Sequence, residues 1–423
     1  MKYAKAGVLM NYNTLMELSI NLAYRLAMCG AETYRIEESV NRIMSAYHVH
    51  AETFAIPNCI HISIETEDGT CLTRMCRVGP HDNDLDSVEK YTAVSRRICA
   101  EVPEPEVALK WVSETDTQKR KYSLPIYLLG NFLGGCGFSV VFGSSIPDSI
   151  LGGLCGIIIG LVDRRLGRMK VNPFFRIIAS AFFMALLAYA CSAAKLTAHV
   201  DSVIIGALMI LVPGLLFTNA MRDIIYGDTN SGINRVVQVF LIAVAIALGT
   251  AAAWATVNMI TPLPATSTVL VHSLWLDILA AFVGCAGFFI LFNIHGFGGI
   301  LCALGGALTW LTFRVCQHMG FHELPAYFFA TVVASGYSEA MARIRKFPAI
   351  SYLVISIFPL LPGAGIYYAM NYAIQGQMSL FADKFTQTLS IAGIMAVGIL
   401  IVSTSVRLIT EQIQRTKITQ TEK

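Results

Sequence analysis

Two long stretches without a charged side chain constrain the fold more than any other feature of the sequence. Val236 to Leu276 is a run of 41 residues without Asp, Glu, Lys or Arg, and Ile278 to Phe313 adds another 36. A helix needs about 20 apolar residues to cross the hydrocarbon core of a bilayer. We therefore predict that this chain of 423 residues is a polytopic α-helical membrane protein.

The first 121 residues differ in composition from the rest. They contain 31 of the 59 Asp, Glu, Lys and Arg residues and carry a net charge of −3. This acidic balance argues against a basic surface for binding nucleic acid. Ile60, Ile62 and Ile64 alternate with polar residues as in a half-buried strand, and the Asp-Gly pair that follows is typical of a hairpin. Segments on both sides have helical spacing. The pattern predicts a small cytoplasmic α+β domain over residues 1–121.

Motifs for cofactor or metal chemistry are absent from the sequence. The 11 cysteines form no CxxC pair, and the sequence contains no HExxH, P-loop or GxSxG motif. We expect reduced thiols, no cofactor, no metal and no catalytic residue. His48, His50 and His61, with glutamates in the same domain, leave one alternative of another class, a membrane-bound hydrolase or sensor acting through this domain.

Breaks between the apolar runs suggest ten spans. They lie near 123–143, 148–162, 173–194, 202–221, 236–256, 273–293, 297–313, 324–342, 348–371 and 386–406. The basic clusters KRK (119–121), RRLGRMK (164–170) and RIRK (343–346) all fall on one side of this count, as the positive-inside rule requires. We expect a multi-pass protein of the plasma membrane with both termini in the cytoplasm.

The first five predicted spans resemble the last five. LVPGLLFTNAM (211–221) aligns with LLPGAGIYYAM (360–370), and Arg164 falls over Arg314. Because five is odd, equivalent helices would cross in opposite directions, an arrangement found in many secondary transporters. We predict two inverted halves, 122–257 and 273–423, joined by an external linker at 258–272. A chance match of small-residue motifs is the alternative.

A Pro-Gly pair interrupts each half at the matching position. Pro213-Gly214 lies in the fourth span and Pro362-Gly363 in the ninth. Proline frees a backbone carbonyl, and in lipid such a group needs protein or a wet cavity around it. The resulting half-helix ends can present partial charges to a substrate, so we predict a transport site here. A simple packing kink is the alternative.

Polar residues follow the first break. Asn219, Asp223 and Gly227 recur every fourth residue and would share one helical face. An amide and a carboxylate suit the ammonium group of a zwitterion, while Arg222 could bind a carboxylate. The second half lacks equivalent charges, so charge recognition is predicted in the first half. Alternatively, Arg222, Asp223 and Asp228 form an ordinary solvated cytoplasmic loop.

Five further polar residues lie within spans: Asn131, Asp277, Asn293, His295 and Glu339. Asn131 is a candidate substrate contact, and Asp277 and Glu339 join Asp223 as candidates for proton coupling, since carboxylates inside membranes are costly and often mark ion pathways. The alternatives are hydration of Asp277 at the outer edge and pairing of Glu339 with Arg343.

Three ordered stretches resemble the threonine/serine exporter family: GAETYRIEESVNRI (30–43), GGCGFSVVFGSSIPDSILGG (134–153) and VPGLLFTNAMRDIIYGDTNSGINR (212–235). The resemblance covers roughly residues 15–410. It implies a fused form with a cytoplasmic domain and ten membrane helices that exports small amino acids with the proton-motive force. Motif residues carried over by the resemblance are Gly30, Glu32, Thr33, Arg35, Glu37, Pro213, Gly214, Asn219, Asp223, Gly227 and Arg235.

The sequence thus predicts a secondary exporter of threonine, serine or a similar metabolite, with protons as coupling ion and the lipid bilayer as environment. A homo-oligomer is compatible with the sequence. The first alternative keeps this class and exchanges the cargo for a dicarboxylate such as succinate, for which Arg222, Arg235 and Arg164 would matter more, since two carboxylates need matching cations.

Overall fold

The computed structural model describes residues 11–79, 83–263, 269–345 and 347–421. The middle of the predicted linker, residues 264–268, and Lys346 of the RIRK cluster lie outside the described residues. The chain divides into two compact units, one of residues 1–121 with the short segment Phe292–Ile294, the other of residues 122–291 and 295–423.

The first unit is a small α+β domain. Its elements are α1 (Tyr12–Met28), α2 (Thr33–Ala46), β1 (Ala51–Ile56), β2 (Cys59–Glu65), β3 (Cys71–Arg77), α3 (Leu85–Glu101) and α4 (Pro105–Thr117). The strands form an antiparallel sheet in the order β1-β2-β3. Ile60, Ile62 and Ile64 point into the core, as their alternation predicts, and the Asp-Gly turn joins β2 to β3 with Gly69 at φ 78°.

A carboxylate ties three helices of this domain together. Asp116 on α4 accepts a hydrogen bond from Arg25 Nε on α1 at 2.9 Å and one from the Tyr91 hydroxyl on α3, and it pairs with Lys119 at 2.8 Å. Burial alone would raise the pKa of Asp116, but the hydrogen bonds from Lys119, Tyr91 and Arg25 outweigh it and lower the pKa to about 2. Folding therefore favours the ionised form.

This network predicts an acid-sensitive domain. Since the folded pKa of Asp116 lies below its unfolded value, the stabilisation is present above about pH 4 and is lost as the pH falls towards 2. Asp116→Asn should remove ~1 kcal/mol at pH 7, a small value because the carboxylate is partly solvent-screened. Hydrogen exchange of α1 and α4 amides in the full chain should show faster opening. Glu101→Gln, in an exposed pair with Arg97, is the control with little change; equal exchange in both variants would contradict the prediction.

The second unit consists of helices. Its first half contains α5 (Leu124–Val141), α6 (Ile146–Arg168), α7 (Pro173–Ala193), α8 (Val200–Leu208), α9 (Gly214–Tyr226) and α10 (Thr229–Ile260). Its second half contains α11 (Leu274–Leu291), α12 (Phe297–His318), α13 (Glu323–Arg345), α14 (Ala349–Ser356), a 3-10 turn (Phe358–Leu360), α15 (Gly363–Ile374) and α16 (Met378–Thr421).

Seven of the described helices are long and apolar enough to cross a membrane: α5, α6, α7, α10, α11, α12 and α16. The bent pair of α14 and the segment Phe358–Ile374, with an angle of 41° between its parts, makes an eighth if it counts as one span. The protein is thus a multi-pass membrane protein, while the count of ten spans stays a prediction. The predicted fourth span, 202–221, is in fact two helices with a break between them, and α13 falls short of the same criteria.

Helices α5 and α11 pack closely through glycines. A Cβ on Gly137 would overlap the backbone nitrogen of Gly284 and lie 2.6 Å from the Ala280 carbonyl oxygen. A Cβ on Gly287 would overlap the nitrogen of Gly134 in the same way and lie 2.5 Å from another carbonyl oxygen of α5. The two backbones therefore touch because neither side has a side chain at the crossing.

Candidate functional site

Both Pro-Gly pairs lie where a helix is interrupted, as the sequence predicts. Pro213 is the N-cap of α9, which begins at Gly214, and Pro362 is the N-cap of α15, which begins at Gly363. The two prolines have similar backbone angles, φ −83° and ψ 42° against φ −76° and ψ 37°. Proline has no amide hydrogen to continue the preceding helix, so at each break a new helix begins at the glycine.

The fold brings the two interruptions into contact. A Cβ on Gly214 would lie 2.8 Å from Leu361 Cβ and 3.6 Å from the Gly363 nitrogen, and a Cβ on Gly363 would overlap Val212 Cγ1. The N-termini of α9 and α15 therefore meet. First-turn amides of a helix have no intrahelical acceptor, and the helix dipole adds partial positive charge. Two such termini form a setting for an anionic group such as a carboxylate.

A buried charge cluster lies at the other end of α9. Asp223 pairs with Arg235 of α10, with 2.9 Å between Oδ2 and Nε, and lies 3.8 Å from an Arg222 terminal nitrogen. Arg222 and Asp223 are each 5% exposed. An isolated buried charge is very costly, and here the single carboxylate of Asp223 offsets part of the positive charge of the two arginines.

The turn between α9 and α10 creates this pairing. Gly227 has φ 95°, a left-handed conformation that favours glycine and ends α9. Asp228 then caps α10 by accepting a hydrogen bond from the Ser231 nitrogen. Gly232 allows the helices to approach, since a Cβ there would overlap Ile224. The hairpin places residues 223 and 235 side by side although they are 12 positions apart.

Two sequence-based interpretations of this region need correction. The solvated-loop alternative is wrong for Arg222 and Asp223, because both are buried. The predicted stripe of Asn219, Asp223 and Gly227 is also wrong at its last member, because α9 ends at Tyr226 and the chain turns at Gly227. Asn219 is half-buried on the same helix as Asp223.

A cavity of about 400 Å³ lies in the same unit, and its lining does not include Asn219, Asp223 or Arg235. Its charged residues are Asp201 at the start of α8, Asp277 on α11 and Arg314 on α12. The lining also includes Val141, Phe142, Gly143, His199, Ser202, Ile205, Val269, Leu270, Val271, His272 and Tyr368. Arg314 Nε lies 3.1 Å from Asp277 Oδ2. This size falls in the range of about 300–1,000 Å³ that small-molecule sites occupy.

Comparison with known proteins identifies the family. A sequence model of threonine/serine exporters matches residues 17–257, and a second model, described as "Threonine/Serine exporter", matches residues 277–405. The chain belongs to the threonine/serine exporter family. Its relatives in this family are named as transporters rather than enzymes, which agrees with the expectation that it is not an enzyme.

Two curated relatives of this family resemble almost the whole chain. A "Threonine/serine exporter" of Corynebacterium glutamicum is 22% identical over 402 residues, which cover 92% of this chain and 81% of the relative. A "Probable threonine/serine exporter" of Mycobacterium tuberculosis is 19% identical over 402 residues, covering 91% of this chain and 75% of the relative. No solved structure matches the chain.

The other residues predicted to bind substrate or couple protons within the membrane lie on other helices. Asn131 is fully buried on α5, and its Nδ2 donates a hydrogen bond to the Tyr127 carbonyl at 2.8 Å. Asp277 is 4% exposed, is paired with Arg314 and lines the cavity, so its hydration stays an open alternative. Glu339 is half-buried on α13. Its neighbour Arg343 donates to Thr410 Oγ1 of α16 at 2.6 Å.

The motif residues of the α+β domain have structural positions. Gly30, at φ 83°, follows the end of α1. Glu32 is the N-cap residue of α2 and pairs with Arg35 at 3.0 Å, while Thr33 is buried beside it. Glu37 Oε1 accepts a hydrogen bond from the Ala55 nitrogen and so links α2 to β1. Within the described residues, no group of three or more His, Cys, Asp or Glu side chains could hold a metal.

Sequence reasoning missed His199, Asp201 and Tyr368, and it also treated charge recognition as confined to the first half. The Asp277–Arg314 pair places opposite charges together in the second half as well, with Asp277 buried and Arg314 partly exposed. The sequence did indicate Arg314, because its alignment with Arg164 places a cation at the same position of each half. His199 and Asp201 line the cavity only because the fold brings α8 next to α11 and α12, which no local sequence pattern predicts.

Proposed function

We propose that this chain is a secondary active exporter of small hydrophilic amino acids such as threonine and serine across the plasma membrane. Support for the cargo comes from the names of its relatives and from membership in their family. The contact between the two Pro-Gly breaks is the observation that carries the mechanism, since it pairs two helix N-termini inside the membrane unit.

The proposed architecture is two inverted repeats with both termini in the cytoplasm. Each half has three long helices, then an interrupted pair and then a long helix. Contacts between the halves support the repeat, because Gly137 faces Gly284 as Gly287 faces Gly134, and each residue lies 150 positions from its counterpart. An odd number of spans in each half would invert one repeat against the other.

The proposed centre is the crossing of the two breaks. The partial positive charge of two helix N-termini would hold the substrate carboxylate, as in transporters with discontinuous helices. Asn219, five residues into α9, would contact the ammonium group, and Asn131 is a further candidate contact. Asp223 lies nine residues beyond Gly214, about 13 Å along the helix, so it would meet the ammonium group only after the carboxylate has left the helix N-termini. Alternating access would then move one half against the other around this point.

The proposed coupling ion is the proton. Asp223 is the first candidate carrier because a carboxylate buried in a membrane protein is costly and is kept where it has a role. Its partner Arg235 would hold the ionised form between transport steps. Asp277 and Glu339 are the other candidates.

Efflux from proteoliposomes tests the proposal. Vesicles holding labelled threonine, serine or succinate are followed with and without an outside-acid pH gradient. We expect threonine and serine to leave faster with the gradient, because entering protons would drive their exit, while succinate stays. Succinate efflux alone would replace the amino-acid cargo with a dicarboxylate, and amino-acid efflux that ignores the gradient would remove proton coupling.

A further inference from the structure

The cavity between α8, α11 and α12 contains an unusual set of charges. Apart from two histidines, its formal charges are one guanidinium, Arg314, and two carboxylates, Asp201 and Asp277. Asp277 is buried and holds Arg314 through Nε, whereas Arg314 keeps 30% of its side chain exposed. Arginine has five N–H donors in a planar fork, so an ion pair made at Nε leaves its terminal amino groups able to bind a carboxylate.

The matching helix pair of the first half lacks this arrangement. Arg164 on α6 lies 150 positions before Arg314, and Tyr127 on α5 lies 150 positions before Asp277. There the guanidinium lies over the tyrosine ring, 5.8 Å from its centroid, and no carboxylate takes the position of Asp277. The second half therefore has a guanidinium oriented by a buried carboxylate at a cavity, while the first half has a cation–π contact.

These charges select the class of ligand. A dicarboxylate would bring two negative charges to a cavity that already holds two carboxylates and one guanidinium. A zwitterionic amino acid has one carboxylate for Arg314 and one ammonium group for Asp201, which is exposed at the cavity. The volume of about 400 Å³ accommodates a small amino acid.

We propose that this cavity is a second amino-acid site, in which Arg314 binds the carboxylate, Asp201 binds the ammonium group, and Asp277 positions Arg314. The inference rests on the proposed function and adds an exit-side site to it. The predicted topology puts the ends of α5 and α12 and the linker residues 269–272 on the external side, where an exporter releases its cargo.

Equilibrium binding of labelled L-threonine to the purified full chain tests the site. We expect Arg314→Gln to lower the affinity at least tenfold and Asp201→Asn at least fivefold, because each removes one charge that the zwitterion meets. Arg164→Gln is the matched control and should stay within twofold of the unaltered protein. Serine should compete, whereas succinate and threonine methyl ester, which lacks the free carboxylate, should not.

The outcomes separate this inference from the proposed function. Unchanged affinity in Arg314→Gln, equal losses in Arg314→Gln and Arg164→Gln, or competition by the methyl ester as strong as by serine would each overturn the site. Asp201 is exposed, so Asp201→Asn keeps the test valid if Arg314→Gln fails to fold. Threonine binding without efflux from vesicles would refute the proposed exporter and leave the site standing. Efflux from vesicles together with full threonine affinity in Arg314→Gln would support the proposed exporter and refute the site.

Discussion

Asp223→Asn should abolish amino-acid efflux and strongly destabilise the membrane unit. The substitution leaves Arg235, whose side chain is 13% exposed, without its charge partner at 2.9 Å, and the buried Arg222 without the carboxylate at 3.8 Å. Removing one partner of a buried ion pair costs about 3–5 kcal/mol. Thermal unfolding of the purified chain should therefore begin at a clearly lower temperature, and threonine efflux from vesicles should fall to the background of empty liposomes.

A double variant separates the structural loss from the functional one. Asp223→Asn with Arg235→Gln removes both charges of the closest pair, so much of the lost stability should return. If Asp223 takes part in transport, efflux should remain absent in this more stable protein. Recovery of efflux together with stability would mean that Asp223 only supports the fold.

The neighbouring Asp228 provides the matched control. It lies five residues farther along, is half-buried and caps α10 through the Ser231 nitrogen. Asparagine caps helices about as well as aspartate, so Asp228→Asn should change stability by less than ~0.5 kcal/mol and leave efflux intact. Equal losses in both variants would argue against a special role for the buried carboxylate.

Local patterns predicted the parts of this protein whose cause is local. Alternation at Ile60, Ile62 and Ile64 is sufficient to indicate a strand with one buried face, and the structure buries all three. The Pro-Gly pairs interrupt helices wherever they occur, because proline lacks a donor for the preceding turn. The position of both breaks therefore followed from the sequence.

Pairings between distant residues could not be predicted in the same way. Asp223 meets Arg235 because a left-handed glycine turns the chain between them, and Asp277 meets Arg314 across two helices. Each pairing depends on the angle at which two helices cross, which periodicity does not specify. The contact between Gly214 and Leu361 joins segments almost 150 residues apart. The sequence indicated which residues matter at these places, but only the fold showed what they touch.

Alanine at either glycine of the α5–α11 crossing should greatly reduce the yield of folded protein. In Gly137→Ala the new methyl group would overlap the Gly284 nitrogen and lie 2.6 Å from the Ala280 carbonyl oxygen. Both obstacles are backbone atoms, so no change of rotamer can relieve them. Overpacking costs about 1–3 kcal/mol where side chains can adjust, and we expect a cost at or above the upper end here.

The repeat makes this prediction testable twice within one chain. Gly287→Ala meets the Gly134 nitrogen and the Gly130 carbonyl oxygen in the corresponding geometry, so its loss of stability should match that of Gly137→Ala. Gly336→Ala is the control, because a Cβ at this position of α13 has no atom within 4 Å and alanine favours a helix. Size-exclusion profiles and thermal unfolding of the three purified variants measure the difference. Unequal losses of stability in Gly137→Ala and Gly287→Ala would contradict a symmetric interface between the halves, since equivalent backbone contacts should contribute equally to stability.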